Sequence, residues 1–289
     1  MTATCPSAQA VRVEPPVAVA RVPVSSLRVT VKLVQYVLRD VIRGRWLAAY
    51  AVFFLLVTEA LVRFGGDPVR ALLSLSNVTL IVTPLVGIVF GAMYLYNARE
   101  FNELLLAQPI ARRQLFIGLY LGLSIPVALA YLLGVGLPFV LRGAAGGAGS
   151  GALAALLACG VALTFVFTAL AFLVAVSTSD KVRGLGTAIA IWLLATLLYD
   201  GLVLFVATTF YEYPLERPML VLMLLNPVDL ARVAMLLQFD TSAMMGYTGA
   251  VFRQFLGSTV GMVAAGTMLL AWILVPVAAA GRRFGRRDF

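Results

Sequence analysis

The stretch ALAALLACGVALTFVFTALAFLVAV, residues 152–176, decides the fold. None of its side chains is charged. A helix of that length rises about 37 Å, more than the roughly 30 Å hydrocarbon core of a bilayer. Comparable runs recur at 46–64, 72–96, 115–141, 185–208 and 259–280. Of the 289 residues, 62% are hydrophobic and 12% charged, against about 25% charged in soluble domains. A soluble domain of this size has too little interior to hide so much apolar surface. The sequence therefore predicts an all-α integral membrane protein, with six transmembrane helices in one domain, 46–281.

Local punctuation sets the expected boundaries. Trp46 and Tyr50 open the first span and Tyr94 and Tyr96 close the second, at the depth where aromatic rings sit in the interface. Gly65-Gly66-Asp67-Pro68 turns the chain between them. Pro126 and Pro138 predict kinks in the third span. A Gly/Ala/Ser loop, 142–151, and a polar turn, 177–184, frame the fourth. Gly118, Gly122, Gly184 and Gly186 are small positions that let helices approach closely. Ahead of the first span, 26–45 sets Leu27, Val31, Val34, Leu38 and Val41 against Arg28, Lys32, Arg39 and Arg43. That pattern predicts an amphipathic helix lying in the cytoplasmic interface. Residues 1–25 read as a flexible cytoplasmic tail, because Arg12, Glu14, Pro15, Pro16, Arg21 and Pro23 interrupt any signal-peptide h-region. Residues 282–289 read as a basic cytoplasmic tail.

The formal net charge is +9, and all but two of the 22 basic residues are arginine. They stand beside the apolar runs, where they direct topology and face anionic headgroups. Six spans put both termini on one side, and 16 of the basic residues fall on that side against 6 on the other. Both termini are therefore expected in the cytoplasm, with the chain in a bacterial inner membrane. No basic stripe carries interleaved aromatics, so nucleic acid is a poor partner. There is no histidine, and Cys5 and Cys159 give no metal-ligand spacing. No bound metal or catalytic residue is expected. An intramembrane enzyme finds no support, because no Ser/Lys or paired-Asp constellation appears at mid-span. A P-loop requires Gly-x-x-x-x-Gly-Lys-Ser/Thr. The only lysines, Lys32 and Lys181, precede Leu33 and Val182. ATP hydrolysis would have to occur in another chain.

The polar segment after the second span is the first functional candidate. Asn97 to Ala107 can form a short helix, with Glu100 and Glu103 toward its N-terminus. Phe101, Leu104, Leu105 and Leu106 give it an apolar face. Pro109 stops it, and Arg112 and Arg113 follow at the membrane surface. Such a helix suits docking in a partner's groove, and equally suits an ordinary interfacial loop.

The run Arg99-Glu100-Phe101, Leu104 to Ile110, Arg112-Arg113 resembles the coupling-helix region of ABC-2 type permeases. Asn226 to Arg232, followed by Gly246-Tyr247-Thr248-Gly249-Ala250, is similar to the NosY-like permeases of nitrous-oxide-reductase and multicopper-enzyme maturation. The resemblance covers the layout from about Val31 to the C-terminus. It implies an ABC-2, type V exporter-like permease fold. It implies a homodimer bound to two separate ATPase subunits, with ATP and Mg²⁺ engaged there and no cofactor on this chain. In that reading Arg99, Glu100, Phe101, Glu103, Leu104, Leu105, Pro109, Arg112 and Arg113 form the ATPase-coupling contact. A periplasmic accessory protein is a further implied partner. The alternative is a membrane scaffold that transports nothing and remodels a periplasmic partner.

Residues 209–258 are too many for a hairpin turn and too apolar for a solvated loop. Asn226-Pro227 breaks them, and helices are expected within 219–239. ABC-2 permeases are similar in carrying short re-entrant or interfacial helices before the last span, which need protein neighbours for their backbone ends. Asp200 is a candidate for the translocation path, because charges in spans are costly and often functional, and Asn226, Pro227 and Asp229, in the short helices that would cap that path, are candidates for its gate. Glu59 lies one turn from Arg63 and is expected to pair with it. Met219, Met223, Met235, Met244 and Met245 would suit Cu(I) as soft ligands. Methionine is more often a filler of apolar gaps.

Overall fold

A computed structural model describes residues 26–65, 68–98, 111–142, 150–210, 216–238 and 259–286. All regular elements among these residues are helical, as lipid requires, since a helix satisfies its own backbone. In chain order they are α1 (Ser26–Ile42), α2 (Arg45–Phe64), α3 (Pro68–Asn97), α4 (Arg112–Leu141), α5 (Ser150–Ser177) and α6 (Lys181–Leu193). A π-helical turn, Leu194–Leu198, joins α6 to α7 (Tyr199–Thr209). Then come α8 (Glu216–Leu225), α9 (Pro227–Leu237) and α10 (Thr259–Arg286). Six of these segments are long and apolar enough to cross a membrane: Arg45–Phe64, Arg70–Asn97, Arg112–Leu141, Ser150–Ser177, Lys181–Thr209 and Val263–Arg286.

The third and fourth spans form the buried centre. Gly160 on α5 admits the ring of Tyr131 from α4; a Cβ added there would lie 2.3 Å from the ring. The Tyr131 hydroxyl donates to the Leu156 carbonyl at 3.1 Å. Tyr50, Phe54 and Tyr131 continue the contact edge-to-face, with centroids 5.1 and 5.2 Å apart. The aromatic quadrupoles favour that arrangement over a stacked sandwich. α3 lies along α5 at Gly91, where a Cβ would meet the Ala171 side chain at 2.6 Å. Pro126 and Pro138 both sit inside the single helix α4.

The amphipathic helix α1 docks on α4. Leu33 and Val37 are buried and press into Gly118 and Gly122, where an added Cβ would stand 2.3 and 2.5 Å from them. Gly184 likewise accepts Tyr96, whereas Gly186 has nothing within 4 Å. Glu59 pairs with Arg142 at the end of α4, not with Arg63. Its side chain faces the neighbouring helix, so the contact is between spans and not along α2.

At the end of the bundle that holds α1 and the end of α10, polar contacts join the spans. Lys181 Nζ donates to Asn97 Oδ1 at 2.9 Å, Arg112 Nη1 to the Gly285 carbonyl at 3.2 Å, and Arg283 to Ser177 Oγ. α10 remains helical through Arg286, so Arg282, Arg283 and Arg286 project from a helix and not from a loose tail.

Candidate functional site

The site lies where the fifth span meets the bent pair α8–α9. Proline has no N–H to continue a helix and drives the preceding residue to extended backbone. Asn226 accordingly has φ −120° and ψ 118°, and Pro227 opens α9. The pair bends by 112° there. Asn226 Oδ1 accepts from the Val228 amide at 3.1 Å, capping the new helix. The carbonyls left over near the end of α8 are taken by side chains of two spans. The Tyr199 hydroxyl donates to Leu222 O at 2.6 Å, and Trp272 Nε1 donates to Leu224 O at 3.3 Å. Asn226 Nδ2 donates to Ala195 O at 2.8 Å, a carbonyl within the π-helical turn. The break is thus held by protein neighbours, which is what irregular backbone at membrane depth requires.

An ionic network is built on that frame. Arg232 binds Asp200 with two parallel bonds, Nη1 to Oδ1 at 2.7 Å and Nη2 to Oδ2 at 2.9 Å. The same Nη1 donates to Asp229 Oδ1 at 2.9 Å, and Asn226 Nδ2 donates to Asp229 Oδ2 at 3.2 Å. A planar guanidinium matches a carboxylate in this bidentate way, which a lysine cannot do. Asn226 and Asp229 are buried, at 2% and 8% exposure. The Arg232 guanidinium therefore faces two carboxylates, Asp200 and the more deeply buried Asp229.

The network borders a cavity of about 350 Å³. Asp200, Asp229 and Arg232 supply its polar wall, and Val203, Leu204, Ala207 and Val233 an aliphatic one. Met219 and Met223 complete it, both buried. Among the described residues no three His, Cys, Asp or Glu side chains converge as metal ligands.

Asp200, Asn226, Pro227 and Asp229, 29 residues apart at the extremes, come together in one place. Arg232 joins them; the sequence marks it only by its i+3 spacing from Asp229 on the polar side of α9. The acceptor role of Ala195 and the donor role of Trp272 left no trace in the sequence. Of the coupling set, Arg112 and Arg113 open α4. Arg99, Glu100, Phe101, Glu103, Leu104, Leu105 and Pro109 lie outside the described residues, as do residues 1–25, Met244, Met245 and the run Gly246 to Ala250.

Comparison with known proteins gives the family. Residues 33–289 match the family described as ABC-2 family transporter protein. A probable ABC transporter permease protein NosY of Pseudomonas aeruginosa is 28% identical over 225 residues, covering 72% of this chain and 82% of that protein. The protein of the same description from Stutzerimonas stutzeri is 28% identical over 269 residues, covering 86% and 95%. With six membrane-crossing helices and a family match over nearly its whole length, this chain belongs to the ABC-2 family of ABC transporter permeases.

Proposed function

We propose that this chain is the membrane subunit of an ABC exporter, that ATP hydrolysis in a separate partner chain drives it, and that the bent pair α8–α9 is its gate. The observation that carries this reading is the triple tie between the fifth span and the bent pair: Arg232 to Asp200, Asn226 to Ala195 O and Tyr199 to Leu222 O. A rigid-body shift of the fifth span would have to carry α8 and α9 with it or break these bonds, so movement of that span is coupled to the bent pair. π-Helical turns recur at functional sites, and this one sits at the tie.

The partner supplies the energy, because neither lysine lies in a phosphate-binding motif. Two ATPase subunits would bind a homodimer of this chain, gripping residues 97–107 on the cytoplasmic side. ATP and Mg²⁺ would bind only there. The likeness to NosY permeases suggests work in the maturation of a periplasmic metalloenzyme such as nitrous oxide reductase, with a periplasmic accessory protein as a further partner.

Two experiments separate the parts of this reading. Glu100→Arg with Leu104→Asp is expected to abolish co-purification with the cognate ATPase; undiminished co-purification would reject the coupling assignment. Asp200→Cys with Arg232→Cys, in a background lacking Cys5 and Cys159, allows the tie to be locked by a bis-methanethiosulfonate cross-linker long enough to replace the arginine side chain. The assembled complex should then stall in ATP turnover when cross-linked and recover under reductant. Equal turnover in both conditions, with the cross-link formed, would reject the gate. A non-transporting scaffold would also stall. It is distinguished by the absence of any nucleotide-dependent change in water access to the cavity at Val203.

A further inference from the structure

Among the described residues, five arginines converge where α4 begins and α10 ends, and they are not equivalent. Arg112 donates to the Gly285 carbonyl at 3.2 Å, and Arg283 bonds Ser177 Oγ. Between them Phe284 is buried, its ring 5.7 Å from Phe116, which in turn meets Phe172 at 5.8 Å. These contacts fix the last turn of α10 against the first turns of α4. Arg113, Arg282 and Arg286 are exposed, and none of the ion pairs among the described residues includes them. Arg282 and Arg286 are four residues apart and share one face of α10.

That face continues inward as apolar surface. Leu274 and Val275, eight and seven residues before Arg282, are 62% and 66% exposed. Two helical turns therefore carry a fixed cationic head above an open apolar flank. Both helix ends close membrane-crossing segments, Arg112–Leu141 and Val263–Arg286, which places the guanidiniums at the depth of lipid phosphates. A soluble anion would match the head alone, and a protein partner would not need the apolar flank at membrane depth.

We propose that an anionic phospholipid occupies this surface, its phosphodiester held by Arg282 and Arg286 with Arg113 beside them, and its acyl chains lying along Leu274 and Val275. The guanidinium fork suits phosphate oxygens. Each basic residue near an anionic leaflet contributes about 1 kcal/mol. Removing the α10 pair should therefore weaken retention by roughly 30-fold. The proposal does not depend on the transport reading.

The test uses the full chain in nanodiscs of equal phosphatidylglycerol and phosphatidylcholine, with retained lipids counted by native mass spectrometry. The wild type should retain phosphatidylglycerol selectively. Arg282→Gln with Arg286→Gln should lose that selectivity at an unchanged melting temperature. Arg282→Lys with Arg286→Lys should keep most of it, and Arg63→Gln with Arg70→Gln should keep all of it. Equal retention of both lipids by the wild type, or undiminished selectivity in the Gln pair, would overturn the proposal. Displacement of the lipid by millimolar inorganic phosphate would reassign the surface to a free anion. Loss of ATPase co-purification with unchanged lipid retention would reassign it to a protein partner.

Discussion

At the scale of single residues, Arg232 has the most consequential contacts in the described structure, since one guanidinium serves two carboxylates. Arg232→Gln leaves buried Asp229 beside Asp200 with no counter-charge. The cost should be about 2–3 kcal/mol. That is below the 3–5 expected for a fully buried pair, because the Arg232 and Asp200 side chains are 31% and 40% exposed. Thermal unfolding in detergent measures it, and Arg232→Lys should recover only part of the loss, because the fork geometry is gone. The pairing of Asp229 with Arg232 was legible from spacing alone. The choice of Asp200 as second partner was not, because nothing in the sequence sets which faces of the fifth span and α9 meet.

At the scale of elements, α1 illustrates how far periodicity reaches. Its alternating apolar and basic residues predict an amphipathic helix, and Ser26–Ile42 is one. Periodicity specifies the apolar stripe but not what covers it. Here Gly118 and Gly122 supply two notches that receive Leu33 and Val37. Gly118→Leu should therefore displace α1 and cost about 1–3 kcal/mol from overpacking. Val37→Cys, in a background without the native cysteines, should become reactive to a maleimide in that variant and stay protected otherwise. Protection in both would show that α1 is held by something else. The same reasoning explains why Gly184 is a close-approach site and Gly186 is not: both are glycines, but only one faces Tyr96. It also explains Glu59, whose neighbour along the helix, Arg63, loses to Arg142 across the helix pair.

At the scale of the whole molecule, the proposed homodimer predicts a protein mass twice the 30.9 kDa of one chain. Light scattering with detergent subtracted would read this, and a single-chain mass retained in nanodiscs would count against the dimer. The sequence by itself determined that the chain crosses the membrane six times, because span length and apolarity are set by bilayer thickness and need no tertiary information. It also determined that the chain breaks at Asn226-Pro227, because proline's missing N–H and ring clash act within a few residues. Only the tertiary structure decided where α1 docks, which arginine pairs with Glu59, and how Asp200, Asn226, Asp229 and Arg232 close into one network. Lipid solvates every apolar face about equally, so hydrophobicity cannot choose between helix contacts. Small-residue notches and the need to partner each buried polar group make that choice, and both arise only when distant parts of the chain are side by side.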